Sequence, residues 1–197
     1  MGSITLDGSA AKLDDAETHT KQGIFYSKLE NHKQAITEFN RAIELDPNYA
    51  EAYLHRGFSY HNIGNDQIAI TDFTKAIELN PQDVTAYLWR GVSYSSINKT
   101  NEAVNDLTKA IELNPNDIDI YIKRGLLYSE LENHQEAIAD FSKVIELNPD
   151  YPWAYTHRAH SYHQIGSNHE SIQDYKIAAR MGYKNAQDYL KKKGIRW

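Results

Sequence analysis

The chain has 197 residues, a formal net charge of −6 and no cysteine. The lack of cysteine excludes disulfide bonds and thiolate chemistry, and it is compatible with any cellular compartment. The negative net charge argues against a nucleic-acid partner, which would select a basic surface. No apolar run approaches the ~18 residues that a transmembrane helix needs, so we expect no insertion into a membrane.

The first 15 residues are predicted to be an N-terminal extension, partly disordered or left from a tag, although Ser9 onward can extend the first helix. They lack the basic and apolar regions of a secretory signal. We therefore expect a cytoplasmic protein, or a periplasmic or envelope-associated one if a leader was removed. Ser9-Ala-Ala-Lys12 matches the Ser-x-x-Lys motif of penicillin-recognising enzymes, but no companion motif follows, so we interpret the match as coincidence.

A six-residue phrase recurs four times at a spacing of 34 residues, and each copy ends in proline. The copies read Ala-Ile-Glu-Leu-Asp-Pro at 42–47, Ala-Ile-Glu-Leu-Asn-Pro at 76–81 and 110–115, and Val-Ile-Glu-Leu-Asn-Pro at 144–149. A fixed period of this length is typical of stacked helical hairpins, none of which can bury its apolar face alone. With each proline at position 32, five repeats follow: 16–49, 50–83, 84–117, 118–151 and 152–183.

Each repeat is predicted to contain two helices, which in the second repeat run from about residue 51 to 63 and from about 67 to 79. A polar turn rich in glycine and asparagine separates them, because these residues stop helices and favour turns. The proline ends the second helix and forces an extended link to the next repeat. Residues 184–193 are predicted to form an amphipathic helix that caps the last apolar face, followed by a tail to residue 197.

Small and large residues stand in fixed columns of the repeat, and these columns predict the core between helices. Position 8 is glycine in the first four repeats and Ala159 in the fifth. Position 24 is large in every repeat, with Phe39, Phe73, Leu107, Phe141 and Tyr175. Large side chains packed against small partners bring helices to about 8–10 Å. The aromatic column is therefore interpreted as core rather than as a cofactor site, and no cofactor is expected.

A column of arginines at position 7 recurs with the same period as a column of acids at position 23. The arginines are Arg56, Arg90, Arg124 and Arg158, and the acids are Glu38, Asp72, Asp106, Asp140 and Asp174. Four arginines could form an anion-binding ladder. Because the acids share their period, we predict instead that each arginine pairs with an acid on an adjacent second helix. An exposed pair contributes ~0.2–1 kcal/mol, and a partly buried bidentate pair contributes more.

These columns resemble those of the tetratricopeptide repeat family, in its bacterial and archaeal subtype with Arg-Gly in the first helix and Asp-Phe in the second. The second repeat shows both motifs, as Arg56-Gly57 and Asp72-Phe73. The resemblance spans residues 16–183. It implies an all-α fold, a right-handed α-solenoid of five helix-turn-helix repeats plus a C-terminal capping helix. It also implies a protein-interaction scaffold rather than an enzyme.

The resemblance further implies where a partner binds. Family members hold a peptide or a helix on a concave face lined by first-helix positions 2, 5, 6, 9, 12 and 13. Helical geometry supports the same assignment, because these are the positions of the first helix that the packing between helices does not use. The implied groove residues are Leu54, His55, Phe58, Leu88, Trp89, Val92, Ile122, Lys123, Leu126, His157, His160 and His163. Positions 5 and 9 of the middle repeats form an apolar strip, which together with an exposed tryptophan and a phenylalanine is typical of an interaction site. The alternative is that these side chains only complete the packing between repeats.

The carboxylate clamp of the chaperone-binding family members is missing. Its positions hold Thr20, Ile24, His55, Thr85 and Trp89. The partner is therefore predicted to be an apolar peptide or an amphipathic helix of another protein.

His157, His160 and His163 share one side of a predicted helix. No carboxylate or cysteine on that helix completes a metal site, so we predict no metal and interpret the histidines as a polar end of the groove. A ligand that contacts them should change its affinity at about pH 6–7.

Two other functions stay open at this point. The apolar strip could accept a segment of a second copy, which would make the protein a self-assembling homo-oligomer. The chain could also be a regulatory interaction domain cut from a larger protein.

Overall fold

The computed structural model describes residues 8–197, with side chains from residue 15 onward. The predictions for residues 1–7, and for the side chains of Ser9 and Lys12, lie outside the described residues. Residues 8–197 contain eleven α-helices and no strand. None of the helices in this described part is both long enough and apolar enough to span a bilayer.

The chain divides into two compact units, Met1–Glu102 (the N-terminal unit) and Ala103–Trp197 (the C-terminal unit). The helices of the N-terminal unit are α1 (Gly8–Lys28), α2 (His32–Leu45), α3 (Ala50–Asn62), α4 (Asp66–Leu79) and α5 (Val84–Ser96). The unit boundary falls within α6 (Thr100–Leu113). The helices that follow are α7 (Ile118–Glu130), α8 (His134–Leu147), α9 (Pro152–Gln164), α10 (Asn168–Arg180) and α11 (Lys184–Lys192).

Helices that are consecutive in the chain pack against each other within each unit. Two helices fall in each predicted repeat, and those of the second repeat, α3 and α4, begin one residue before the predicted starts. We call α1, α3, α5, α7 and α9 first helices, and α2, α4, α6, α8 and α10 second helices. The short polar turns between them make neighbours antiparallel, which is the arrangement expected of stacked helical hairpins.

Phenylalanine rings seated on glycines form the core of the N-terminal unit. Phe39 and Phe73 are completely buried. They face Gly23 and Gly57, where a built Cβ would lie 2.4 Å and 2.7 Å from the nearest ring carbon. Such distances are too short for any Cβ, so each first helix approaches its second helix as closely as it does only because glycine stands there.

The C-terminal unit repeats this contact and adds a terminal helix. A Cβ at Gly125 would lie 2.9 Å from the ring of Phe141. The last helix, α11, buries Ala186 and Leu190. The ring of Tyr175 on α10 stacks on Tyr189 of α11 at a centroid distance of 4.0 Å. The amphipathic segment thus covers the apolar face of the last helical pair.

The turn after each first helix holds one residue in the left-handed conformation. Gly64 has φ 77° and Glu132 has φ 59°. In both turns the next residue donates its N–H to a carbonyl five residues back, from Asn65 to Tyr60 at 2.8 Å and from Asn133 to Tyr128 at 2.8 Å. This is the Schellman ending of a helix, which glycine adopts without the strain that a Cβ causes.

Glu132→Gly is expected to stabilise the protein by about 1 kcal/mol, because glycine relieves the strain of a left-handed residue bearing a Cβ. The midpoint of urea denaturation, followed by helical circular dichroism, measures the change. Gly64→Ala is the matched control and should lower the midpoint, since open space surrounds a Cβ at Gly64 and only backbone strain acts there. A lower midpoint for Glu132→Gly would contradict the assignment.

Candidate functional site

The arginine column forms ion pairs inside the hairpins rather than an open ladder. In the N-terminal unit, Nε and Nη2 of Arg56 donate to the two carboxylate oxygens of Asp72 at 2.8 and 2.6 Å. In the C-terminal unit, Arg124 donates in the same way to Asp140, at 2.9 and 2.7 Å. Each bond joins a first helix to its own second helix, so the predicted pairing is confirmed for these residues.

Each of these arginines also contacts the preceding second helix. Nη1 of Arg56 donates to Oδ1 of Asn40 at 2.7 Å, and Nη1 of Arg124 donates to Oγ1 of Thr108 at 3.0 Å. Burial alone would lower the pKa of Arg124, but its hydrogen bonds to Asp140 and the charge of that carboxylate raise it. With its donors engaged on both sides, the guanidinium serves packing between helices and is not positioned for a ligand.

An aromatic cluster occupies the first-helix face of the N-terminal unit. The rings of Phe58 and Trp89 meet edge to face with centroids 5.1 Å apart. Trp89 also meets His61 at 5.4 Å, and Phe58 meets the buried Phe73 at 5.5 Å. Phe58 and Trp89 are half-buried, so the tryptophan that was predicted to be exposed is partly open to solvent. The two rings shield each other while leaving part of each surface open.

His55 continues this face toward the preceding second helix. Its ring stacks on Phe39 at a centroid distance of 6.0 Å, and its Nε2 lies 3.7 Å from Oε1 of Glu51. Burial lowers the pKa of His55, while the charges of Glu51 and Asp83 act in the opposite direction. The remaining predicted groove residues of this unit are also half-buried: Leu54, Leu88 and Val92.

In the C-terminal unit, predicted groove residues line a cavity of about 410 Å³. Leu126 of α7 forms one wall, and His157 and His160 of α9 form the opposite one. Leu126 is 39% exposed, which is high for a leucine in the middle of a packed helix. The structure therefore brings three of the predicted residues to one concave opening.

His157 is held in place by aromatic neighbours. Its ring lies 3.8 Å from that of Trp153 and 5.6 Å from that of Phe141, measured between centroids. Burial lowers the pKa of His157, and the charge of the nearby His160 lowers it further. His157 is thus a neutral, oriented imidazole at the cavity wall at neutral pH.

His160 and His163 continue toward the turn after α9, and both are exposed. Nε2 of His160 lies 3.2 Å from Nε2 of Gln164, and Nδ1 of His163 lies 2.8 Å from Oδ1 of Asn168. Burial lowers the pKa of His160, and the charges of His134 and His163 lower it further. Among the described residues, no group of three or more histidine or acidic side chains is placed to hold a metal ion.

The other two predicted residues of this unit stand apart from the cavity wall. Ile122 is partly buried against the core cluster that contains Tyr121, Val144 and Ala154. Lys123 is half-buried. Ile122 also lines a second cavity of about 630 Å³ together with Ile118 and Tyr151, so it both packs between helices and borders an opening.

Several residues that line the cavity were not predicted from the sequence. Ser129 and Glu130 of α7, Thr156 of α9 and Tyr175 of α10 complete its lining. Tyr175 carries the one signal that could have identified it, because the other repeats have phenylalanine or leucine in its column. Burial raises the pKa of Tyr175 to about 12, so its hydroxyl stays protonated.

A second missed surface lies on α1 in the N-terminal unit. Phe25 is 59% exposed and Leu29 is 61% exposed. Phe25 shares its column with Ser59 and Ser93, which are buried. Phe25 departs from this buried column and places an apolar side chain in solvent.

Family models match this sequence along most of its length. Models described as TPR repeat match residues 24–64 and 94–132, and models described as tetratricopeptide repeat match 50–83, 118–151 and 73–105. The chain belongs to the tetratricopeptide repeat family. These matches do not distinguish the Arg-Gly/Asp-Phe subtype, which stays a prediction. No curated protein sequence matches the chain.

Several solved structures are similar to this one. A crystal structure of MamA is 27% identical with a TM-score of 0.80, covering 88% of this chain and 95% of that chain. YrrB, described as a TPR protein with an unusual peptide-binding site, is 20% identical with a TM-score of 0.80, covering 96% and 98%. MamA from Desulfovibrio magneticus RS-1 is 20% identical with a TM-score of 0.77, covering 89% and 98%. YrrB and the Desulfovibrio magneticus MamA, at 20% identity, provide evidence for the fold alone. The predicted all-α helical-repeat fold is confirmed.

Proposed function

We propose that this protein is an interaction scaffold that binds an apolar peptide or an amphipathic helix of a partner protein on its first-helix face. The main support for this proposal is the cavity of about 410 Å³ between α7 and α9, with Leu126 exposed at its wall. An exposed leucine beside an oriented aromatic-backed imidazole offers an apolar anchor and a polar contact in one place. Sites that bind peptide segments combine these two features.

The N-terminal unit supports the same function through its aromatic cluster. Phe58 and Trp89 are ordered by their mutual ring contact and still expose part of each ring. Rigid, partly open aromatic rings lose little conformational entropy on binding and are common anchors in protein interfaces.

Leu126→Asp is expected to abolish partner binding with little effect on folding, because it places a charge in the apolar part of the groove at an already exposed position. Loss of an apolar hot spot weakens an interface by about 2 kcal/mol or more. Affinity capture from a lysate, with retained proteins identified by mass spectrometry, compares this variant with the wild type. Unfolding midpoints confirm that both chains are equally stable.

Ile68→Asp on α4 provides the matched control. Ile68 is 40% exposed, nearly the same as Leu126, but it lies on a second helix. Proteins retained by the wild type and by the Ile68 variant but lost from the Leu126 variant are partners of the groove. Equal retention by all three chains would place the binding surface elsewhere and refute the groove.

A further inference from the structure

Four imidazoles gather at one end of the C-terminal unit's groove. His157 and His160 line the cavity, and His134 on α8 and His163 on α9 are the neighbours whose charges act on His160. Nδ1 of His134 is buried and has no hydrogen-bond partner among the described residues. We call these four residues the histidine cluster.

The other groups that face the histidine cluster are mostly neutral or basic. Lys193, which follows α11, lines a small cavity of about 120 Å³ together with His163 and Tyr189. Tyr175 of α10 faces the cavity as a protonated phenol. Glu130 of α7 is the one carboxylate in the cavity lining, and it is exposed.

The corresponding histidine of the N-terminal unit has a different electrostatic environment. The carboxylates of Glu51 and Asp83 both act on His55, and Glu51 lies within 3.7 Å of it. The charges that act on His157 and His160 come from other imidazoles instead. In the N-terminal unit a carboxylate thus lies beside the histidine, although Lys28 also acts on His55, whereas His160 and His163 contact the neutral side chains of Gln164 and Asn168 and leave room for an acid supplied from outside.

We propose that the C-terminal groove binds an acidic peptide segment, with an apolar side chain against Leu126 and a carboxylate among His157, His160 and His163. This inference rests on the proposed function and adds the chemistry of the ligand. The cavity between α7 and α9 holds the apolar residue, and the imidazoles stand one helical turn apart along α9 toward the solvent. Lys193 supplies a permanent positive charge at the far end.

Binding of this kind depends on pH in a defined direction. In the free protein, burial and mutual repulsion lower the pKa values of His157 and His160, so both are neutral at neutral pH. A bound carboxylate favours the imidazolium form and raises these pKa values, so the complex takes up protons. Affinity therefore increases as the pH falls, as long as the ligand's carboxylates stay ionised, which for glutamate extends to about pH 4.3.

The test uses two labelled synthetic peptides with leucines on one helical face, one with glutamates on the opposite face and one with glutamines. Fluorescence anisotropy gives the dissociation constants at about pH 7.5 and about pH 5.5, on either side of the ordinary imidazole pKa. The glutamate peptide should bind several-fold more tightly at the lower pH, since a rise of one unit in the pKa of one imidazole gives at most a ~10-fold change. The glutamine peptide should show no such change.

Three variants separate the histidine cluster from other causes. His160→Gln combined with His163→Gln should remove most of the pH dependence, and both positions are exposed, so the fold is preserved. His169→Gln, at an exposed histidine outside the cavity, is the control and should keep the wild-type behaviour. Glu130→Gln should strengthen binding of the glutamate peptide at both pH values, since it removes a like charge from the cavity lining.

The outcomes distinguish this inference from the proposed function. Binding of both peptides with equal affinity at both pH values would overturn the acidic ligand and leave a groove for apolar peptides. Persistence of the pH dependence in the double histidine variant would overturn the role of the cluster. If the glutamate peptide does not bind at about pH 5.5, the inference fails, whereas the proposed function is decided by the Leu126→Asp comparison.

Discussion

Arg124→Met is expected to destabilise the C-terminal unit by about 3 kcal/mol, because it leaves the carboxylate of Asp140 buried without a partner. The side chains of Arg124 and Asp140 are 15% and 4% exposed, so neither charge is well solvated. The arginine also bonds Thr108, and its guanidinium lies 5.6 Å from the ring centroid of Tyr128. The free energy of unfolding from urea denaturation measures the loss.

Two further variants identify the cause of that loss. Combining Arg124→Met with Asp140→Leu should recover a large part of the stability, because no charge is then left buried. Lys143→Met should have little effect, since the pair between Lys143 and Glu146 is open to solvent. A double variant as unstable as Arg124→Met would show that the hydrogen bond to Thr108 and the packing, rather than the buried charge, carry the effect.

Gly57→Ala is expected to destabilise the N-terminal unit by about 2 kcal/mol, although alanine is the better helix former by about 1 kcal/mol. The added Cβ would lie 2.7 Å from Cε1 and 2.9 Å from Cδ1 of Phe73. Phe73 is completely buried, so its ring cannot move aside without displacing other core residues. The overpacking therefore outweighs the gain in helix propensity, and thermal or urea unfolding measures the net result.

A smaller side chain at Phe73 provides the test of this explanation. Phe73→Leu in the Gly57→Ala background should be more stable than the two separate losses predict, because the leucine makes room for the new Cβ. Leucine already occupies the same column at Leu107, where it is buried. Additive losses in the double-mutant cycle would mean that the two residues do not interact and that the glycine has another role.

The fold was predictable because each repeat carries the same local signals. The proline after the second helix of the first four repeats and the polar turn after each first helix determine where helices end, so α3 and α4 were predicted within one residue of their observed starts. The glycine and phenylalanine columns predicted the core contacts of Gly57 with Phe73. The hydrogen bond from Arg56 to Asn40 was not predicted, because that column holds asparagine, threonine, serine and, in the fifth repeat, lysine, and so has no common charge.

The candidate site was less predictable because exposure depends on neighbours that differ from repeat to repeat. Phe58 and Leu126 hold the same repeat position, yet Phe58 is half-buried and Leu126 is exposed. Phe58 is covered by the ring of Trp89 from the next first helix. The residue that corresponds to Trp89 beside Leu126 is His157, whose ring lies tilted against Trp153 instead. The repeat period predicts on which face of its helix a residue lies, but it does not predict which neighbouring side chain covers that residue.

The pairing of histidine with tryptophan gives each unit an optical signal of its own. Trp153 lies 3.8 Å from the ring of His157 in the C-terminal unit, and Trp89 lies 5.4 Å from that of His61 in the N-terminal unit. A protonated imidazole accepts an electron from an excited indole and so quenches its emission, whereas a neutral imidazole does so far less. The intrinsic emission of Trp153, with Trp89 and Trp197 replaced by phenylalanine, therefore reports the charge on His157 without any label.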